Sequence, residues 1–494
     1  MSSVVGMDSR SALKIELVAV DDALAEGEAL VQFIFADEER SDRQFAELLG
    51  PIGESFKAER YETSSGYVAT REGIRSALLV GLGKRAEFAD EVLRRASAVA
   101  MRRARERGWR ALRLLLPDDR RRSVRQAVEG ALLGRYENRF YRRDEDGRNG
   151  VERLRIAVSR GGEDLEAEVE RGRVIAEATN WARALADEPA NLLPPREFAR
   201  RAVEMCAAVG LRVEVWLGEE IRARGWGGLW SVGKGSDEPP ALIVVRYEPE
   251  EVSGELWAFV GKGMTFDAGG ICLKPWQGME EMKADMAGGA AVLGALCAIA
   301  RLRLPRRIVG IIPAAENMPS GRALKPGDVI KTLAGYTIEV TDTDAEGRLI
   351  LADAIAHARQ LGAHRIIDLA TLTGSIIVAL GDVRAGLFSN DDDWAREIAE
   401  AAERAGEPVW RMPLDEDYKK RLESSIADFK NYGGRPDATV AALLLSRFAD
   451  RTPWAHLDIA GTAWLDEDEP FASKGATGAG VRTLVELAAQ SADS

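Results

Sequence analysis

From Ala241 onward short apolar runs alternate with helical stretches, and this alternation constrains the fold more than any other feature of the chain. Runs at Ala241–Tyr247, Leu256–Val260, Arg307–Pro313, Arg365–Ala370 and Trp454–Ile459 read as strands. Between them, Asp285–Arg301, Gly347–Leu361 and Ala438–Ala449 carry helical spacing. Strands of this kind separated by helices are the signature of a mostly parallel sheet covered on both faces. Functional groups in open α/β sheets gather beyond the carboxyl ends of the strands. Lys262 and Asp267 follow one such strand, and the loop from Thr371 to Gly374 follows another.

A chain of 494 residues exceeds one typical core and calls for two domains. The first third reads as an α/β unit of its own. Leu13–Val20, Ser76–Gly83 and Leu112–Leu116 are expected strands, and Phe88–Arg107 is an expected helix with Val92, Ala96, Val99 and Ala100 inward. Gly81-Leu82-Gly83 lacks the third glycine of a dinucleotide loop and reads as a strand-to-helix turn. The polar stretch Arg142–Gly150 marks a boundary near 145–165. A helix from about Glu163 to Asp187 then runs to Pro189, Pro194 and Pro195, which block its continuation. The expected organisation is an N-terminal α/β domain over 1–160, a connecting helix over 161–187 and a larger C-terminal domain over 188–494, with no internal repeat.

A hydrophobic fraction of 46% and a charged fraction of 30% describe an ordinary soluble globular protein. The net charge of −13 argues against general binding of nucleic acid or anionic membrane by the whole surface, though not by a local patch. The first third is rich in arginine, from Arg102 to Arg110 and from Arg120 to Arg125. A solvated helix face is the first reading of these residues, and a nucleic-acid-contacting patch the second. Cys206, Cys272 and Cys297 are odd in number and far apart, which implies no disulfide framework and fits a reducing compartment. Met1–Asp21 lacks a basic segment followed by an apolar run, and no apolar stretch is expected to span a membrane. The expected location is the cytoplasm.

Chemistry concentrates in Thr341–Leu349, where Asp342, Asp344, Glu346 and Arg348 crowd together. Asp344 and Glu346 are two apart, so on an extended or looping segment they point to the same side. An isolated pair of this kind is commonly a solvated charge run. A second stretch, Gly261–Pro275 followed by Met282–Met286, adds Asp267 and Asp285 with Lys262 and Lys274. Four hard oxygen donors beside such cations make up a carboxylate-bridged pair of divalent metals. His357, His364 and His456 are the only histidines and none lies in an H-E-x-x-H pattern, so a zincin is excluded. His357 and His456 read as structural residues.

These stretches resemble, at matching spacing, the cytosolic leucyl aminopeptidase family of metallopeptidases. Its hallmark runs N-T-D-A-E-G-R-L, and here only the first position departs, with Asp342 in place of Asn. Further matches are Pro189–Pro194, Ala315–Gly321, Lys325–Val329, Trp454–Gly461 and Thr477–Val481, so the likeness covers roughly residues 175 to 485. Ala268 stands where Ser or Thr is usual, and Cys272 where Ser is frequent.

The resemblance implies that 188–494 is catalytic, that Asp267 and Glu346 bridge two metals, that Lys262 and Asp285 complete one site, and that Asp344 completes the other partly through its carbonyl. A lysine ligand must be a neutral amine, which two nearby dications make attainable; the alternative is a cation paired with Asp267. A water shared by the metals becomes a hydroxide nucleophile, and Lys274 stabilises the resulting oxyanion. Arg348 offers a planar fork for a small oxyanion. In the family it holds bicarbonate as general base, with backbone contacts around Ala345, Gly347 and Leu372. The competing readings are a helix-start salt bridge for Arg348 and a loop surface charge for Lys274.

Family position points to Met282, Thr371 and Gly374 for the substrate pocket, to N-terminal leucine and other apolar residues as substrates, to Mn or Zn (with Co a further option) as metals, and to a homo-hexamer. Some family members also bind DNA, which keeps a second role for the arginine-rich first domain in view. A two-metal phosphoesterase is the remaining alternative.

Overall fold

The computed structural model describes residues 13–38, 56–118, 120–139, 141–142, 150–159 and 161–490. Most of the expected boundary segment Arg142–Gly150 and the first 12 residues of Met1–Asp21 lie outside the described residues. The chain forms two compact units, Met1–Asn180 with Asp466–Lys474 and Trp181–Leu465 with Gly475–Ser494. The helix Glu163–Asp187 runs from one unit into the other, and the short return of Asp466–Lys474 to the first unit has no counterpart in the sequence reading.

The first unit is built on a six-stranded sheet in the order Lys14–Ala19, Arg153–Val158, Ala111–Leu115, Glu28–Ile34, Gly73–Gly81, Thr63–Thr70. All neighbours pair parallel except the last two strands, which are antiparallel. Its core joins Val31, Phe33 and Val80 from the sheet to Val92, Val99, Val124 and Val128 from two helices, Asp90–Glu106 and Arg121–Arg135. These helices touch backbone to backbone. A Cβ on Gly130 would lie 1.9 Å from the Arg94 carbonyl oxygen, a distance no side chain tolerates. Across the same contact the buried Arg94 Nε donates to Glu129 at 2.7 Å, satisfying both charges where water is absent.

The second unit is a nine-stranded mixed sheet. Its centre is parallel, with Leu256–Gly261 between Arg307–Asn317 and Arg365–Ala370, and Trp454–Asp458 beyond. Antiparallel strands Ala241–Tyr247 and Arg212–Leu217 extend one side, and Ala385–Ser389 pairs antiparallel on the other. Alternate residues Ala258 and Val260 bury against helices Gly347–Gln360 and Asp437–Ala449. The helix Ala287–Arg301 packs on the same strands with almost every residue buried. Together with the preceding 3-10 turn it makes Met279–Arg301 long and apolar enough to cross a membrane by composition, contrary to the expectation that no stretch approaches that length. Its apolar window is 83% buried, as befits the core helix of this unit.

The close helix crossing in the first unit is directly testable. Gly130→Ala should lower stability by about 1–3 kcal/mol through forced separation of the helices, read as a fall in the urea unfolding midpoint of that unit. An unchanged midpoint would mean that the crossing is looser than described.

Candidate metal centre and active site

Parallel strands deliver the site at their carboxyl ends, as expected for an α/β sheet. Leu256–Gly261 hands directly to Lys262, whose N–H donates to the Leu369 carbonyl at 3.0 Å. The strand Gly263–Asp267 runs beside the end of Arg307–Asn317 and bulges between Met264 and Phe266, which sets Asp267 against Asn317. Asp285 lies just before the helix Ala287–Arg301, after a 3-10 turn, and not within the helix as its spacing predicts. Glu346 sits at the start of the helix Gly347–Gln360.

Lys262, 3% exposed, has its ammonium 2.8 Å from Asp285 Oδ2 and 2.8 Å from Glu346 Oε1. It also donates to the Thr371 carbonyl at 3.0 Å. Its ion-pair partners are thus Asp285 and Glu346, where the sequence reading weighed a pair with Asp267. Lys274, 22% exposed, lies 2.9 Å from Asp267 Oδ2 and also bonds Asp344. Ligand atoms of Asp267, Asp344 and Glu346 lie within 4.8 Å of one another, and Asp285 joins this group through Lys262. Gly347 makes the approach possible: a Cβ there would come 2.7 Å from Lys262 Cε and 2.9 Å from its Nζ.

Burial and mutual repulsion dominate the electrostatics. Burial, and then the charges of Asp267 and Glu346, push the Asp285 carboxyl up to about 8 against the pull of Lys262. Burial and Asp267 likewise push Asp344 up to about 7, and Glu346 is raised for the same reasons. On Lys262 burial works to lower the basicity, yet Asp285, Glu346 and Asp267 outweigh it and hold the amine protonated. Three buried oxygens, Asp285 Oδ2, Asp344 Oδ1 and Glu346 Oε1, meet a lysine ammonium but have no other hydrogen-bond donor among the described residues. Hard, buried carboxylate oxygens gathered in this number fit divalent cations.

The surrounding residues divide clearly. Asp342, the departure from the hallmark, turns its Oδ1 to the Asp344 N–H at 2.9 Å and so stabilises the loop rather than adding to the acid cluster. Arg348 is buried, and its Nη1 donates to Asp437 Oδ1 at 2.9 Å and to the Asn431 carbonyl at 3.1 Å. The salt-bridge reading of this arginine is therefore realised in part, while its Nε stays buried without an acceptor. Thr371 Oγ1 donates to Asp285 Oδ1 at 2.6 Å. Leu372 N–H donates to Asp458 Oδ1 at 3.2 Å, and the Ala345 carbonyl accepts from Asn431. Met282 is half-buried in the turn preceding Asp285, and Gly374 is exposed at the start of the helix Gly374–Leu380. Both histidines read as structural are packed away: His357 against Trp216 and Trp226, and His456 with Nδ1 2.6 Å from Asp368 Oδ1.

Three residues to which the sequence reading gave no role hold the site in place. Asn317 donates to Asp267 Oδ1 at 2.8 Å and to the Thr343 carbonyl at 3.0 Å. Asp458 anchors the Thr371–Thr373 loop through Leu372 N–H and the Thr373 hydroxyl. Both lie in stretches already singled out, Ala315–Gly321 and Trp454–Gly461, whereas Asn431 stands in no motif.

Acids and lysines gathered at the strand ends of an α/β sheet make a candidate cation site, and comparison with known proteins assigns the class. A family model described as "Cytosol aminopeptidase family, catalytic domain" matches residues 180–485, and the corresponding N-terminal domain model matches 36–145. A probable cytosol aminopeptidase of Acidobacterium capsulatum is 45% identical over 87% of this chain and 86% of its own length. Among solved structures, a tomato leucine aminopeptidase mutant aligns with a TM-score of 0.88 and 31% identity over 97% of this chain and 96% of that one. The bottromycin maturation enzyme BotP, in complex with Mn, gives 0.82 and 36% over 93% of this chain and 98% of that one. The chain belongs to the cytosol aminopeptidase family, and it is an aminopeptidase.

Because carboxyls raised into the neutral range must release protons to bind a cation, Mn²⁺ affinity should rise from pH 6 to pH 8. Calorimetric titration in two buffers of different ionisation enthalpy reads the protons released. Affinity that is independent of pH, with no proton release, would contradict the electrostatics of Asp285 and Asp344.

Proposed function

We propose that this aminopeptidase works with two divalent metal ions, held by Lys262, Asp267, Asp285, Asp344 and Glu346, and releases leucine and other apolar residues from peptide N-termini. The observation that carries the reading is the convergence of four acids on only two lysines, with three buried carboxylate oxygens that have an ammonium as their sole partner. Bound there, the ions would supply an acidified water and polarise the scissile carbonyl. Once they neutralise the carboxylates, burial, the largest influence on Lys262, is left to favour its neutral amine. A neutral amine is what a ligand requires.

Lys274 keeps its charge at the more open side of the cluster, where it can stabilise negative charge developing on the carbonyl oxygen. Arg348 retains a buried Nε–H without an acceptor, which suits a small oxyanion such as bicarbonate acting as general base. Ala345, Gly347 and Leu372 would border that anion, with Leu372 N–H shared with Asp458. Met282, Thr371 and Gly374 would line the pocket for the first side chain. Mn or Zn suits the donor set, and Co is a further option. A cytoplasmic homo-hexamer remains the expected form, in keeping with the names of the relatives for location and with the family resemblance for assembly. A nucleic-acid role finds no support in the charge of the first unit, where Arg105, Arg110, Arg122 and Arg125 pair with Glu137, Glu152, Asp90 and Glu129.

The test is release of free leucine from an unblocked leucyl dipeptide, with chelation and then reconstitution by Mn²⁺, Zn²⁺ or Co²⁺. The reading expects loss on chelation and recovery with metal; activity that survives full removal of metal, or hydrolysis confined to phosphodiesters, contradicts it. Lys274→Ala should retain both ions yet lose at least ~100-fold in kcat, and metal loss instead would remove its assigned role. Glu346→Ala should lose metal itself, so unchanged stoichiometry by elemental analysis would count against bridging.

A further inference from the structure

We infer that Asn431 is the positioning residue of this site, fixing the spacing of the Asp344 and Glu346 carboxylates and the direction of Arg348; the inference rests on the metal reading above. Asn431 follows the short strand Phe429–Lys430, which pairs with Thr337–Glu339, and its backbone N–H donates to the Glu339 carbonyl at 3.0 Å. Its exposure is 0%.

An asparagine side chain carries one acceptor oxygen with two lone pairs and two amide protons. Here all of them serve one loop. Oδ1 accepts from Thr341 N–H at 2.8 Å, with Asp342 N–H and Thr341 Oγ1 each at 3.3 Å. Nδ2 donates to the carbonyls of Asp342 at 2.5 Å and Ala345 at 3.2 Å. The Asn431 carbonyl then accepts from Arg348 Nη1 at 3.1 Å. The residue therefore grips the loop on both sides of Asp344, at Thr341–Asp342 and at Ala345 next to Glu346, and it holds the arginine beyond. Between these grips the Asp342 side chain closes the turn onto Asp344 N–H.

The chemistry of the grip admits no other side chain of the same shape. Aspartate is nearly isosteric but cannot donate to two carbonyls, and ionised it would set a buried negative charge against the oxygens of Asp342 and Ala345. Asn431→Asp thus reverses the polarity of one half of the grip while leaving the volume unchanged. A residue that merely supported the fold would alter unfolding temperature without changing how the folded protein binds metal.

Asp428 provides the control. It accepts from Thr337 N–H and Oγ1, both at 2.8 Å, in the same strand pairing, and among the described residues its side chain makes no hydrogen bond or ion pair to a residue of the site. Mn²⁺ affinity of the folded full-length protein is measured at 25 °C from the paramagnetic resonance of free Mn²⁺, with thermal unfolding recorded in parallel. Asn431→Asp should bind Mn²⁺ about 10–100-fold more weakly, the range set by loss of an outer partner of metal ligands, while Asp428→Asn stays within about twofold of the parent by the same standard. Affinity equal to the parent in Asn431→Asp, or equal loss in both variants, overturns the inference. If Asn431→Asp fails to fold, Asn431→Ser, which keeps one donor and an acceptor, must show the weakened binding, and parent-like affinity in it overturns the inference as well. A parent protein that binds no divalent ion instead refutes the metal reading itself.

Discussion

Four carboxylates and two ammonium groups crowd into one largely buried pocket, where the acids outnumber the cations and repulsion holds the Asp285 and Asp344 carboxyls well above their ordinary range. Lys262 and Lys274 each serve two acids at once, so three buried carboxylate oxygens share an ammonium as their only partner. Desolvation makes the imbalance costly, because an unpaired charge in a low-dielectric interior is disfavoured far more than at the surface. The rest of the catalytic unit works to hold these groups together against that cost. The parallel strands supply rigid ends, Gly347 lets Lys262 come close, and the buried Asn317 occupies the Asp267 oxygen that faces away from the cluster.

Rigidity is distributed unevenly around the site, and the pattern is informative. Asp267 has Oδ1 fully engaged by Asn317 and Gly269 N–H, so Oδ2 is the oxygen it offers to the cluster. Thr371 binds Lys262 through its carbonyl and Asp285 through its hydroxyl, which couples the loop bordering the site to the acids themselves. Arg348 is tied on one side to Asp437 and Asn431 and left without an acceptor at Nε. An arginine half-used in this way is oriented without being saturated.

Much of this was legible in the sequence because its parts are local. Lys262, Asp267 and Lys274 fall within one short stretch, and Asp344, Glu346 and Arg348 within another, so a motif captures them. The strands of the parallel centre were equally plain, being continuous apolar runs. The arginines opening the helix Arg121–Arg135 read as a solvated helix face, yet Arg125 is buried against Glu129. The edge strand Arg212–Leu217 was not picked out although Arg212 and Glu214 alternate with Val213 and Val215, because its residues are charged, exposed or only half-buried. Asp285 was assigned to a helix by its spacing, but the chain makes a separate 3-10 turn before the helix begins. Asn431 could not have been found: its bonds reach back more than 80 positions to Thr341–Arg348, and nothing local marks it.

Locating the ions is the most direct test of the whole account. Anomalous diffraction from crystals of the Mn²⁺-loaded enzyme should give two peaks per chain, both in contact with Asp267 and Glu346, with Lys262 and Asp285 at one and Asp344 at the other. Peaks elsewhere on the chain, or a single ion that leaves Lys262 paired with Asp285 as an ammonium, would contradict it.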